Sequence, residues 1–156
     1  LTWPVTVWQA ALGKFLAAWL FLACALLVTL PIAFTVGYLG RPDWGVIACG
    51  YVGSLLCAGA CLGLAALASA VTRSQVIAFV TGFLACFVLV LLGYGVFDGL
   101  LVGVLSDETV DAVRRLGLWR NLEPFTLGIF DVPAAGYFLS LAFAGLGLST
   151  LVVDRR

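Results

Sequence analysis

The chain has 156 residues, of which 63% are hydrophobic and 10% charged, and its formal net charge is zero. A soluble domain carries about a quarter charged residues, so this composition argues against one. The neutral balance, with no basic tail, gives nucleic acid nothing to bind.

The apolar residues come in blocks longer than eighteen, the length that marks membrane spans rather than a soluble core. The expected fold is an all-α, polytopic transmembrane helix bundle in a single domain over 1–156. The first block runs from about 15 to 39, with Lys14 at its start and "LGRPDWG" (39–45) closing it. As a helix it is roughly 37 Å long, enough to cross a hydrocarbon core of about 30 Å with some tilt. Pro31 removes one backbone hydrogen bond and predicts a kink, with Thr29 and Thr35 placed to satisfy the carbonyls it frees.

The second block runs from about 44 to 71 and the third from 76 to 97, separated only by Thr72, Arg73, Ser74 and Gln75. That spacing predicts a tight helical hairpin. Reading both blocks as one buried structure would place Arg73 in the bilayer centre, at a cost of about 2.5–3.5 kcal/mol. The hairpin instead lets the chain leave the hydrocarbon where the charge sits.

Most of the charge falls between 98 and 131. Ser106, followed by Asp107 and Glu108, has the composition of a helix start. Val110, Val113 and Leu116 then recur at helical spacing, and Gly117 ends the run. Together with Trp119 this predicts a short interfacial helix within a segment of about 106–130. "FTLGIF" could dip back toward the membrane, and a surface loop with one helical turn fits equally well. The fourth block runs from about 132 to 153 and ends in "DRR".

The second block carries two small-residue series, Gly59 with Gly63, and Gly50 with Ser54 and Ala58. Such faces let helix backbones approach in lipid. They serve packing inside one bundle or contact between subunits, and the sequence leaves both uses open.

Several chemistries are excluded by what the blocks lack. No Asp, Glu, His, Lys or Arg lies well inside any of them, which argues against a proton-coupled carrier and intramembrane catalysis. The five cysteines, at 24, 49, 57, 61 and 86, all lie in apolar blocks, an unlikely setting for a disulfide framework. Cys57 and Cys61 share a helix face, but no histidine or methionine exists to complete a metal site, so no metal is expected. "GK" at 13–14 is not a phosphate loop: Trp8 stands where a glycine is needed and Phe15 where Ser or Thr is needed. Any ATP must be bound by another chain.

Lys14, Arg73, Arg155 and Arg156 lie on one side of four alternating segments; Arg41, Arg114, Arg115 and Arg120 lie on the other. The count is even, but the first group sits tight against span ends. Three of the second lie among acids in a longer segment. The expected arrangement puts the Arg73 hairpin and both chain ends in the cytoplasm.

"LTWPVTVWQAALGKFLAAW" resembles the stretch in type-2 ABC transporter permeases where a cytoplasmic coupling helix ends in a Leu-Thr-x-Pro-Val turn. A Gly-Lys entry into the third membrane helix follows there. "YLGRPDWGVIACGYVGSLLCAGACLGLAALASAVTRSQVIAF" resembles the next part, an outer turn, a small-residue fourth helix, a short hairpin and the fifth helix. "NLEPFTLGIFDVPAAGYFLSLAFAGLGLSTLVVDRR" is similar to the entry into the sixth helix and its basic end. The nearest branch is the gliding-motility-like permeases, with relatives tied to nitrous-oxide-reductase maturation. Trp3 and Trp8 are bulkier than that pattern, and Asn121-Leu122 replaces a polar-aromatic pair.

The resemblance implies four spans of six, two membrane helices lying before Leu1, and a chain that is N-terminally truncated, as the absence of methionine also suggests. It implies a permease subunit with no ATPase site of its own, in the cell (inner) membrane. Its partners would be a cytosolic ABC ATPase carrying ATP and Mg, a second permease copy or paralogue, and lipids. Leu1, Thr2, Pro4, Val5 and Gln9 match the end of the ATPase-coupling segment. The alternatives are a juxtamembrane turn at these residues and, for the whole chain, a non-transporting membrane scaffold or assembly factor.

Overall fold

The computed structural model describes residues 6–96 and 107–154, with the side chains of Val7 and residues 107–109 excepted. Leu1, Thr2, Pro4, Val5 and Ser106 lie outside the described residues. The described residues form seven helices and no strand: α1 (Val7–Val28), α2 (Leu30–Leu39), α3 (Trp44–Val71), α4 (Gln75–Gly93), α5 (Asp107–Arg115), α6 (Leu118–Thr126) and α7 (Val132–Asp154). α1 with α2, α3, α4 and α7 are four units long and apolar enough to cross a membrane.

The first span starts earlier than its charge pattern predicts, at Val7 rather than near Phe15. A reciprocal cap sets this boundary. The Thr6 hydroxyl accepts from the Gln9 backbone N–H at 3.4 Å, and Gln9 Oε1 accepts from the Thr6 N–H at 3.2 Å. Two amides that helix geometry would leave without partners are thereby satisfied. Lys14 therefore sits two turns inside the helix, on an exposed face.

The kink expected at Pro31 is a break at Thr29, with Pro31 in the first turn of α2, where its missing N–H costs least. The Thr29 hydroxyl donates to the Leu26 carbonyl at 2.6 Å, and the Thr35 hydroxyl to the Pro31 carbonyl at 2.8 Å. Both hydroxyls thus close on carbonyls of their own helices, whereas the carbonyl that Pro31 deprives of a donor is that of Leu27, four residues earlier, and neither hydroxyl bonds it. Asp43 then caps α3, its Oδ1 accepting from the Gly45 N–H at 2.9 Å. Trp44 folds back under Gly37, where a Cβ would lie 2.9 Å from the indole ring.

α3 and α4 form the antiparallel hairpin, with Thr72–Ser74 as the turn and Gln75 already helical. Thr72 Oγ1 donates to the Ala68 carbonyl at 2.9 Å, closing the last turn of α3. α4 ends at Gly93, four residues short of the expected boundary at 97, and residue 97 lies outside the described residues. The helix ends at a Tyr94 C-cap followed by Gly95 in the left-handed region, φ 69°. Gly117 packs against Gly93, where a Cβ on Gly117 would lie 2.2 Å from the Gly93 Cα. Tyr94 stacks on Trp119 there, ring centroids 4.6 Å apart.

The interfacial segment is two helices rather than one. Gly117 both ends the turn after α5 and stands as the N-cap of α6. Asn121 Nδ2 fixes the corner by donating to the carbonyls of Arg115 and Gly117, each at 2.9 Å. The Tyr137 hydroxyl of α7 donates to the Leu116 carbonyl in the same corner. α6 buries Leu118 and Phe125 completely, beside Ala60 of α3 and Ala134, Ala135 and Phe138 of α7. Of the readings left open for this segment, the surface loop is the one that this burial rules out.

α3 is the central helix. α1 and α4 run antiparallel to it, and α7 runs parallel, with Gly63 and Gly145 in backbone contact where the two cross. A Cβ on Gly145 would lie 2.4 Å from Gly63 carbonyl atoms, and one on Gly63 would lie 2.7 Å from the Ala142 oxygen. Such approach replaces hydrophobic driving force, which lipid does not supply between helices, with van der Waals packing. Trp19 ties α1 to α3, its Nε1 donating to the Leu55 carbonyl at 3.0 Å while its ring covers Gly59.

Candidate functional site

The residues singled out from sequence do not converge on one centre. Gln9 caps the start of α1. Thr72, Arg73, Ser74 and Gln75 form the opposite side of the same bundle end, where the starts of α1 and α4 meet the ends of α3 and α7. Gly59 and Gly63 are buried, against Trp19 and Ala142. The second series behaves differently: a Cβ at Gly50 would meet nothing within 4 Å, Ser54 is exposed, and Ala58 is half-buried. The close helix contacts instead include Gly53, which receives the Phe125 ring, and Gly145.

Three of the grooves between the helices of the described residues bear on function. One of about 430 Å³ opens at the hairpin end between α1, α3 and α7, with Lys14, Ser69, Ser149 and Thr150 among alanines. A second, of about 610 Å³, lies between α1, α3 and α4, lined by Leu22, Ala65, Phe79, Phe83 and Cys86 among others. Neither is lined by an Asp or Glu, and Lys14 is the charged side chain of the first.

The third groove, of about 400 Å³, lies at the other end, between the helix break at Thr29, the first half of α3, and α6. Thr29, Tyr51, Ser54 and Thr126 bring four hydroxyls to a wall otherwise made by Leu26, Val46, Ile47, Gly50 and Leu122. The Tyr51 and Thr29 oxygens are 2.7 Å apart. Since the Thr29 proton is already given to Leu26, Tyr51 is the donor in that pair.

Cys57, Cys61 and Cys86 stand together, the Cys61 thiol within hydrogen-bond reach of the other two. Cys49 donates to the Gly128 carbonyl at 3.4 Å, and Cys86 Sγ lies 4.0 Å from the Cys61 carbonyl. All five cysteines are free, and among the described residues no group of three His, Cys, Asp or Glu could hold a metal ion.

The four long apolar helices decide the class. The chain is a multi-pass membrane protein. Comparison with protein-family models, with curated proteins and with solved structures finds no match to this membrane protein.

Proposed function

We propose that this chain is the membrane permease subunit of an ATP-driven transporter of the type-2 ABC class, in the cell (inner) membrane, paired with a second permease and driven by a cytosolic ATPase. The observation that carries the reading is the order of its motifs. A Leu-Thr-x-Pro-Val turn, a Gly-Lys helix entry, a small-residue helix, a tight polar hairpin and a basic end follow one another at the spacing that the resemblance calls for. The reciprocal Thr6–Gln9 cap supports it mechanically. A push delivered just before Thr6 would reach α1 through a helix start held by two hydrogen bonds rather than through a frayed end. Apart from Lys14, two turns into α1, and Asp154 at the end of α7, the described spans hold no Asp, Glu, Lys or Arg, which favours force supplied from outside the chain over an ion gradient.

The test is to purify the intact protein with its genomic neighbours expressed and to ask whether an ATP-binding subunit comes with it. The expected outcome is a stable complex whose ATP hydrolysis responds to permease. Substituting Pro4→Ala or Gln9→Ala should abolish coupled hydrolysis and leave membrane insertion intact. Normal coupling in both variants, or no ATPase in the complex, would refute the proposal and favour an assembly factor.

A further inference from the structure

Ser54 has no hydrogen bond among the described residues. It lies about 15 Å along α3 from Trp44, half the thickness of a hydrocarbon core of about 30 Å. Other span hydroxyls close back on their own helices: Thr81 on Ile77, Ser140 on Tyr137, Ser149 on Leu146 and Thr150 on Gly147. Ser69, also without a partner, lies within a turn of the hairpin and its water. A hydroxyl left alone at the depth of Ser54 is costly, because lipid offers it no partner. It faces the 400 Å³ groove, alongside Tyr51 and Thr126.

The protons on that wall determine what it would take. Tyr51 gives its proton to Thr29, Thr29 to Leu26, and Thr126 to the Glu123 carbonyl at 2.7 Å. The Tyr51 and Thr126 oxygens therefore present lone pairs, while Ser54 can both give and accept. A group that donates one proton and accepts another matches this set, and a hydroxyl does both. No Lys or Arg lines the groove to meet a phosphate or carboxylate, and no Asp or Glu lines it to meet an amine. The remaining wall is aliphatic, suited to a tail, and the volume is in the range of small-ligand sites. Gly50 supplies the room, since nothing lies within 4 Å of where its Cβ would be.

We infer that the groove between the Thr29 break, α3 and α6 binds an uncharged amphiphile with a hydroxyl head, such as a mono- or diacylglycerol or a long-chain alcohol, through Ser54, Tyr51 and Thr126. This does not rest on the transporter reading.

The test uses the full chain in phosphatidylcholine nanodiscs and a monoacylglycerol carrying a diazirine on its acyl chain. Photolabelling should concentrate on 46–54 and 122–126. The corresponding fatty-acid methyl ester, which has no donor, should label all lipid-facing helices alike. Losing one hydrogen bond changes affinity by about two- to tenfold, so Ser54→Ala should reduce site labelling by that factor. Gly50→Leu, which adds bulk at a groove position where a Cβ meets nothing within 4 Å, should abolish it. Unlabelled diacylglycerol and long-chain alcohol, competed separately, distinguish the sources of the hydroxyl, and displacement by either supports the site. Even labelling by both probes, undiminished labelling in both variants, or cross-linking of Ser54 to a second copy of the chain would overturn the inference.

Discussion

Glycine recurs at the helix contacts, and its positions are not equivalent. Gly145 and Gly147 stand two apart in α7, yet only the first meets another backbone; nothing lies within 4 Å of a Cβ on the second. Gly145→Leu should therefore force α3 and α7 apart and lower stability by about 1–3 kcal/mol, the usual cost of overpacking. Gly50→Ala should be neutral or stabilising by up to about 1 kcal/mol, since it relieves a helical glycine without a clash. Thermal unfolding in detergent checks both. Gln9→Ala removes half of the reciprocal cap and should cost about 0.5–2 kcal/mol. The loss should appear as faster amide exchange at 7–10, with the rest of the bundle unchanged. Which glycine is which was not legible in the sequence, because a small-xxx-small pattern says that a backbone can approach and not that another does. Gly59 and Gly63 stood out together with Gly50, and only the first two have a neighbour that needs them small.

At the scale of the element, the apolar blocks and the hairpin were legible because both follow from solvent alone. Lipid forces long helices, and a charge forces an exit. The Thr29–Pro31 break was legible because a proline removes a donor, but the adjacent hydroxyls, which bond the Leu26 and Pro31 carbonyls, do not replace it. Pro31→Ala should restore the hydrogen bond and join α1 to α2 as one rod. Spin labels at Leu20 and Leu39 should then move apart, and an unchanged distance would place the cause of the break elsewhere. The start of α1 was misplaced because Lys14 was taken as a boundary, whereas the Thr6–Gln9 cap sets it. α6 was missed because Pro124 and mixed polarity disguise it. Leu118, Leu122 and Phe125 do recur at helical spacing, a signal that could have found it, but their burial depends on Gly53 and Ala134 from distant parts of the chain.

For the molecule as a whole, the alternation of ends is the feature on which sidedness depends. Lys14, Ser69 and Thr150 line one groove, so the start of α1 and the ends of α3 and α7 share one end of the bundle with the Arg73 hairpin. Arg41 and α5 lie at the other. The positive residues close to span ends favour the cytoplasm for the Arg73 end. A cysteine replacing Arg73, in a variant whose native cysteines are removed, should react with an impermeant maleimide only in inside-out vesicles. A cysteine replacing Arg41 should react only in right-side-out cells. The reverse pattern would invert the topology while leaving the bundle intact. The candidate groove was less legible than the fold. Ser54 was visible only as one member of a small-residue series, and its lack of a partner depends on α6 and the Thr29 break forming a wall around it.

The shared direction of α3 and α7 has a consequence for biogenesis. Gly145 of α7 fills the notch at Gly63, so that notch faces lipid until α7 has been synthesised. Every earlier helix can thread the bilayer, but the central one stays unclasped, so a nascent chain halted before Val132 exposes the seam that the finished molecule hides. Insertion of α7, rather than of α1 or α4, is therefore the step that closes this seam.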